Sequence, residues 1–146
     1  MKYFRIEKNN KPNLIVNYKD NFGFNITEYS SYINTIEILS VEANSQKISR
    51  SDYINKFITN NKIKQMSLNQ IIGKNKLLLP FIPEEVWAAG VTYKNSEFER
   101  KRESSTPDIY AKVYNAKRPE IFFKSTGSRL VAPNQKIGIR SDSKWN

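Results

Sequence analysis

The sequence predicts an α+β chain built in two parts, and three observations carry that prediction. At the N-terminus Phe4 and Ile6 alternate with Tyr3, Arg5 and Glu7, which is strand periodicity. Further on, Ile54, Phe57 and Ile58 recur at three and four residues, the spacing of one helical face. The second half then holds two apolar runs, Val86 to Val91 and Ile121 to Phe123, each bounded by polar residues. A length of 146 residues suits one domain, or a small domain with part of another.

In order, MKYFRIE reads as a first strand, Lys8 to Asn13 with Pro12 as a turn, and Leu14 to Tyr18 as a second strand. Asp20 to Gly23 marks the next reversal. Between Ile26 and Val41 the apolar residues Ile33, Ile36, Ile38 and Leu39 fit neither period, so strand and helix stay open. Ser49 to Asn60 predicts a helix capped by Ser51, and Gln65 to Ile72 a shorter helical turn. Gly73-Lys74-Asn75 divides the chain into residues 1–75 and 76–146, with Leu77 to Leu79 entering the second part. Nothing in the first part proposes chemistry.

Pro80 and Pro83 hold the entry to the second part extended. Val86 to Val91 is apolar on both faces, as a strand covered on both sides would be, and Gly90 allows close backbone approach. Lys94 to Glu103 is charged throughout, a helix or an exposed loop. Thr106-Pro107-Asp108 is a helix start with a capping hydroxyl, a proline at the first helical position and an acid in the first turn. Ile109 and Val113 carry that helix to about Ala116. Glu120 to Lys124 predicts a strand, Gly127 and Pro133-Asn134 turns, and Lys136 to Arg140 a last alternating strand.

Composition removes several chemistries. With no cysteine there is no disulfide, thiolate or Cys-zinc site, and with no histidine the commonest general base and transition-metal ligand are missing. Carboxylates, lysine, tyrosine or an oxygen-held hard metal must carry any reaction. No window nears the ~20 apolar residues of a membrane helix, and MKYFRIEKNN lacks a signal peptide's apolar run. The chain therefore reads as cytoplasmic, without a membrane partner. Its net charge of +10 is spread: residues 1–76 carry 12 basic and 6 acidic side chains, residues 77–146 carry 12 and 8. Scattered charge of that kind is a solvated surface rather than a nucleic-acid footprint.

Two constellations could carry chemistry. If the chain turns helical after Tyr93, Ser96 and Glu99 lie three apart on one face and point together into whatever the strand end opens. Residues 97–103 as a solvated helix face is the plainer alternative. Glu120 and Lys124 are four apart, so on a strand both face the same side. Structurally they could amount to an edge ion pair contributing under ~1 kcal/mol. Asp142 is the one carboxylate of the terminal stretch, too little for an octahedral oxygen site.

In order and spacing these motifs resemble the fumarylacetoacetate hydrolase superfamily, most closely its 2-keto-3-deoxy-D-arabinonate dehydratase branch. Many hydrolases of that superfamily carry Gly-x-Asn-Tyr-x-x-His-x-x-Glu, whose His and Glu activate water. Here Gly90, Tyr93 and Glu99 match, while Thr92 and Ser96 stand where Asn and His belong. Serine without a partner is no base at neutral pH, which speaks against C–C hydrolysis and agrees with the dehydratase branch, where that histidine is missing. The segment Arg118-Pro119-Glu120-Ile121-Phe122-Phe123-Lys124 resembles one that places its glutamate in the active site. The resemblance thus implies acid/base catalysis by Glu120, with Glu99 second, and substrate binding by Tyr93, Ser96 and Lys124.

Ile139 to Asn146 resembles the stretch that runs into a Glu-x-Glu pair which, with a later aspartate, holds Mg²⁺. None of the three is present, so the metal ligands are expected beyond Asn146 and the chain reads as the N-terminal half of such an enzyme. The implied architecture is a small mixed N-terminal domain, 1–75, followed by the first strands of a β-rich catalytic roll, 76–146. The implied activity is Mg²⁺-dependent dehydration of a 2-keto-3-deoxy sugar acid to 2,5-dioxopentanoate, a step in pentose catabolism, by a homo-oligomer at full length. The rivals are acylpyruvate hydrolysis, oxaloacetate decarboxylation, or an inactive fragment.

Overall fold

The computed structural model describes residues 1–142. Contacts divide it into two units, Met1–Ile82 with the chain from Val131 onward, and Pro83–Leu130.

In the first unit β1 (Lys2–Lys8) and β2 (Lys11–Lys19) form a hairpin whose turn is Asn9-Asn10 alone. Both asparagines take a left-handed φ, 53° and 57°, the geometry a two-residue hairpin turn requires and asparagine tolerates. The turn is thus tighter than Lys8 to Asn13, and Pro12 lies inside β2 opposite Glu7. It is tolerated because β3 (Phe22–Asn25) pairs with β2 only from Ile15 onward, so no ladder bond is lost there. Phe22-Gly23, expected within a reversal, opens β3 itself.

The ambiguous stretch resolves into a 3-10 turn at Ile26–Glu28 and helix α1 (Ile36–Ser45), with Thr35 capping it through Ile38 N–H. Helix α2 (Arg50–Asn61) is capped by Ser49, not Ser51: its hydroxyl accepts from Asp52 N–H at 3.1 Å. A cap needs extended backbone before the first turn, and Ser51 already lies within the helix. After α2 come β4 (Met66–Ser67), α3 (Leu68–Gly73) and β5 (Lys76–Leu77). The sheet runs β4-β3-β2-β1-β5, antiparallel throughout. Gly73-Lys74-Asn75 therefore lies inside the first unit, because β5 completes its sheet beside β1.

Period two splits β2 between two cores. Leu14 and Val16 pack with Phe24, Leu39 and Ile54 of the α1–α2 side, while Ile15 meets Ile6 and Ile71 on the α3 side. Asn13 and Asn17 within this strand are buried but satisfied: Asn13 Oδ1 accepts from Asn25 Nδ2 at 2.9 Å, and Asn17 Nδ2 donates to Phe22 O.

The second unit holds β6 (Glu85–Ala89), α4 (Lys94–Glu103), α5 (Pro107–Tyr114) and β7 (Ile121–Thr126), with β6 and β7 antiparallel. The strand buried on both faces is β2; β6, expected in that role, is not. Trp87 and its cross-strand partner Phe123 stack edge-on at 5.8 Å yet stay about half exposed. Sequence composition was alike, but β2 has two sheet neighbours and helices on both sides, whereas β6 pairs with β7 alone among the described residues. Thr106 makes no capping hydrogen bond. Lys136 to Arg140 forms no strand, and Ile137 and Ile139 are about three-quarters exposed without a partner ladder to order them. No helix of the described residues is long and apolar enough to cross a membrane.

Candidate active site

A cavity of about 580 Å³ lies within the second unit, walled by the β6–β7 ribbon on one side and by α4 and α5 on the other. Its strand wall follows the two-residue period from Glu120 to Phe122, and Lys124 of β7 lines it as well. Gly90 N–H donates to Glu120 O at 2.8 Å, carrying the ladder one bond past the Ala89–Ile121 pair and fixing the backbone that bears the carboxylate.

Lys124 reaches the cavity from a β-bulge. Val86 lies opposite Ser125 and Trp87 opposite Phe123, so Lys124 is the extra residue of β7. Such a residue leaves the ladder and its side chain is re-aimed, a device common beside active sites. Neither Glu120 nor Lys124 has an ion-pair partner among the described residues, so both groups remain available inside the cavity.

The helix wall presents Ser96 and Arg100, one turn apart on α4. Glu99, expected beside Ser96, faces elsewhere: its Oε2 pairs with Arg102 Nη2 at 2.7 Å and it does not line the cavity. At about 100° per residue, Arg100 lies to one side of Ser96 and Glu99 to the other, and the cavity meets the Arg100 side. Tyr93 precedes α4, is 74% exposed and is also absent from the lining. The structure therefore gathers Ser96, Glu120 and Lys124, and leaves Glu99 and Tyr93 outside. Arg100 was missed as a site residue, although its i,i+4 relation to Ser96 was visible.

Backbone strain sits at the rim. Val91, directly after β6 and lining the cavity, has φ 43°, a left-handed conformation that a β-branched residue pays for sterically. At Gly90, expected to allow close backbone approach, a Cβ would meet Val113 Cγ1 at 3.5 Å and Glu120 O at 3.8 Å, both ordinary contacts.

One buried acid was not foreseen. Glu97 is 2% exposed, with Oε1 2.7 Å from Lys101 Nζ and Oε2 2.7 Å from Lys94 Nζ. Hydrogen bonding to Lys101 and then Lys94 holds its carboxyl below the usual range. Lys94 also stands 4.8 Å from the Tyr114 ring centroid, tying α4 to the end of α5. The Lys-x-x-Glu-x-x-x-Lys spacing was the available signal.

Among the described residues no group of three or more Asp, Glu, His or Cys could hold a metal ion. Asp142 is engaged by Arg140, which donates Nε to Oδ1 and Nη2 to Oδ2 at 2.8 and 2.7 Å. The rest of the terminal stretch expected to lead into metal ligands, Ser143 to Asn146, lies outside the described residues. The described residues thus do not fit Mg²⁺ by themselves.

No family model matches the chain. A "Probable 2-keto-3-deoxyxylonate dehydratase" of Haloferax volcanii is 57% identical over 68 residues, 47% of this chain and 24% of that protein. Over those residues the chain is similar to that dehydratase. A 2-dehydro-3-deoxy-D-arabinonate dehydratase of Saccharolobus solfataricus is 40% identical over 88 residues, 57% of this chain and 28% of that one. A crystal structure of 2-keto-3-deoxyarabinonate dehydratase superposes with a TM-score of 0.61 at 24% identity, covering 99% of this chain and 48% of its own. The α+β fold is therefore that of a dehydratase over about half its length, and the homologous chain spans less than half of each dehydratase relative it matches.

Proposed function

We propose that the whole protein is a Mg²⁺-dependent dehydratase of a 2-keto-3-deoxy sugar acid, of the 2-keto-3-deoxy-D-arabinonate type, giving 2,5-dioxopentanoate. One observation supports it above the rest: Glu120, Lys124 and Ser96 line a single cavity in a chain homologous to sugar-acid dehydratases. Reaching that product needs a C3 proton removed and the C4 hydroxyl released as water, which leaves a C3=C4 enone, and then a tautomerisation that moves the C5–H and C5–OH protons to C4 and C3, so a group beside these carbons must take and give protons. Glu120 is the carboxylate in the cavity lining and takes that role. Lys124, a cation on the same strand wall, and the Ser96 and Thr92 hydroxyls suit an anionic polyol by charge and by hydrogen bonding.

The test is turnover of 2-keto-3-deoxypentonate by the whole protein with added Mg²⁺, following 2,5-dioxopentanoate, with oxaloacetate as the competing substrate. Product from the keto-deoxy acid alone is the expected result. Absence of that product, or decarboxylation of oxaloacetate instead, overturns the proposal.

A further inference from the structure

The cavity's second cation has no role in the proton transfer, and it comes from a different element than Glu120. Arg100 projects from α4 beside Ser96, whereas Glu120 and Lys124 come from β7. Arg100 pairs with Glu103, a carboxylate, with Nη1 to Oε2 at 3.4 Å and both side chains more than half exposed. An exposed pair of that length is cheap to part. The guanidinium is a planar fork of donors matched to a carboxylate, and unlike an ammonium it keeps its charge at any working pH.

We propose that Arg100 recognises the carboxylate of an acid substrate entering this cavity, and that Glu103 is the internal carboxylate it relinquishes. The proposal rests on the sugar-acid reading of the cavity and adds a direction to it. The charged end is gripped by the helix wall, which leaves the remaining carbons to the strand wall that bears Glu120. Selectivity for the acid over uncharged analogues then resides in Arg100, and Glu103 moderates affinity by competing for the same fork.

The experiment is direct titration of the protein with 2-keto-3-deoxypentonate and with its methyl ester, followed through α4 and β7 amide resonances, independently of turnover. The acid is expected to bind roughly tenfold or more tighter than the ester, as a charge-assisted pair implies. Arg100→Gln should erase that preference while leaving ester binding unchanged, Arg100→Lys should restore part of it, and Glu103→Gln should tighten acid binding. A preference that survives in R100Q overturns the proposal, as does wild-type protein that binds both compounds alike or neither. If acid selectivity depends on Arg100 but no dehydration occurs, the dehydratase reading fails and this one stands. If dehydration occurs with selectivity indifferent to Arg100, the reverse holds.

Discussion

Glu97 Oε1 lies 2.7 Å from Lys101 Nζ, and the same carboxylate meets Lys94 on its other oxygen. The pair matters because α4, KNSEFERKRE, has almost no apolar face; its one aromatic, Phe98, is 60% exposed. A helix that buries so little hydrocarbon is held by its charges. The carboxylate is covered by its lysine partners, which themselves stay wet, rather than sunk in a core. Its lowered pKa means the folded unit binds the proton less tightly than the unfolded chain. The contribution is present above the ordinary carboxylate range and is lost as pH falls through the still lower folded-state value. Lys94, raised chiefly by its hydrogen bond to Glu97, mirrors this at the alkaline end, losing its contribution as pH rises through the raised value. Amide exchange across residues 94–103 should accelerate severalfold in Glu97→Gln at neutral pH, and the acid-induced loosening of wild type should vanish in the variant. An α4 equally protected in both proteins would refute the clamp.

Glu120→Gln removes the proton-transfer group while keeping its shape, and the Gly90 N–H bond is made to the Glu120 backbone, so the strand end should hold. Loss of general acid/base catalysis costs typically ~10²–10⁴-fold in rate. Turnover of the whole protein should fall by about that factor with thermal stability unchanged. Glu99→Gln, a pair with Arg102 outside the cavity lining, should leave the rate within about twofold. Equal losses in the two variants would place the chemistry elsewhere.

The contrast between those two glutamates measures what the sequence could and could not reveal. Alternation in MKYFRIE and the spacing of Ile54, Phe57 and Ile58 were legible, because each is set by residues a few positions apart. The strand period put Glu120 and Lys124 on one side and both do line the cavity, but Lys124 stands at a bulge that the period does not describe. What stayed hidden depended on partners distant in sequence. The number of strands flanking β2 and β6 decided which was buried, and the bulge that sets Lys124 arises from pairing with β6. Glu99 was misjudged for a finer reason: three-residue spacing puts two side chains near one another on a helix but does not say which edge of that face meets the cavity.

Gly127 marks where the two strands of the second unit must nearly touch. A Cβ built there would lie 1.6 Å from the Pro83 carbonyl oxygen, and Gly127 N–H donates to Glu84 O at 3.0 Å. Backbone cannot rotate away as a flexible side chain could. Gly127→Ala should therefore part the ends of β6 and β7 at a cost of about 1–3 kcal/mol or more, read as a lowered melting temperature. Gly73→Ala, with nothing within 4 Å of its Cβ position, is the control and should change stability far less. Indistinguishable melting of the two variants would contradict the packing.

Isoleucine supplies the last test, because the same residue type sits at both extremes of exposure. Ile15 is fully buried in β2 against Ile6 and Ile71, while Ile137 is 73% exposed in a stretch that forms no strand. Truncating a buried isoleucine removes its transfer free energy and leaves a cavity, typically 2–5 kcal/mol together. An exposed one changes stability by under ~0.5 kcal/mol. Ile15→Ala should thus lower the denaturant midpoint strongly and Ile137→Ala hardly at all. If Ile137→Ala proved the costlier, the segment after Val131 would be packed in solution, and the strand that alternation predicts for Lys136 to Arg140 would have found a partner.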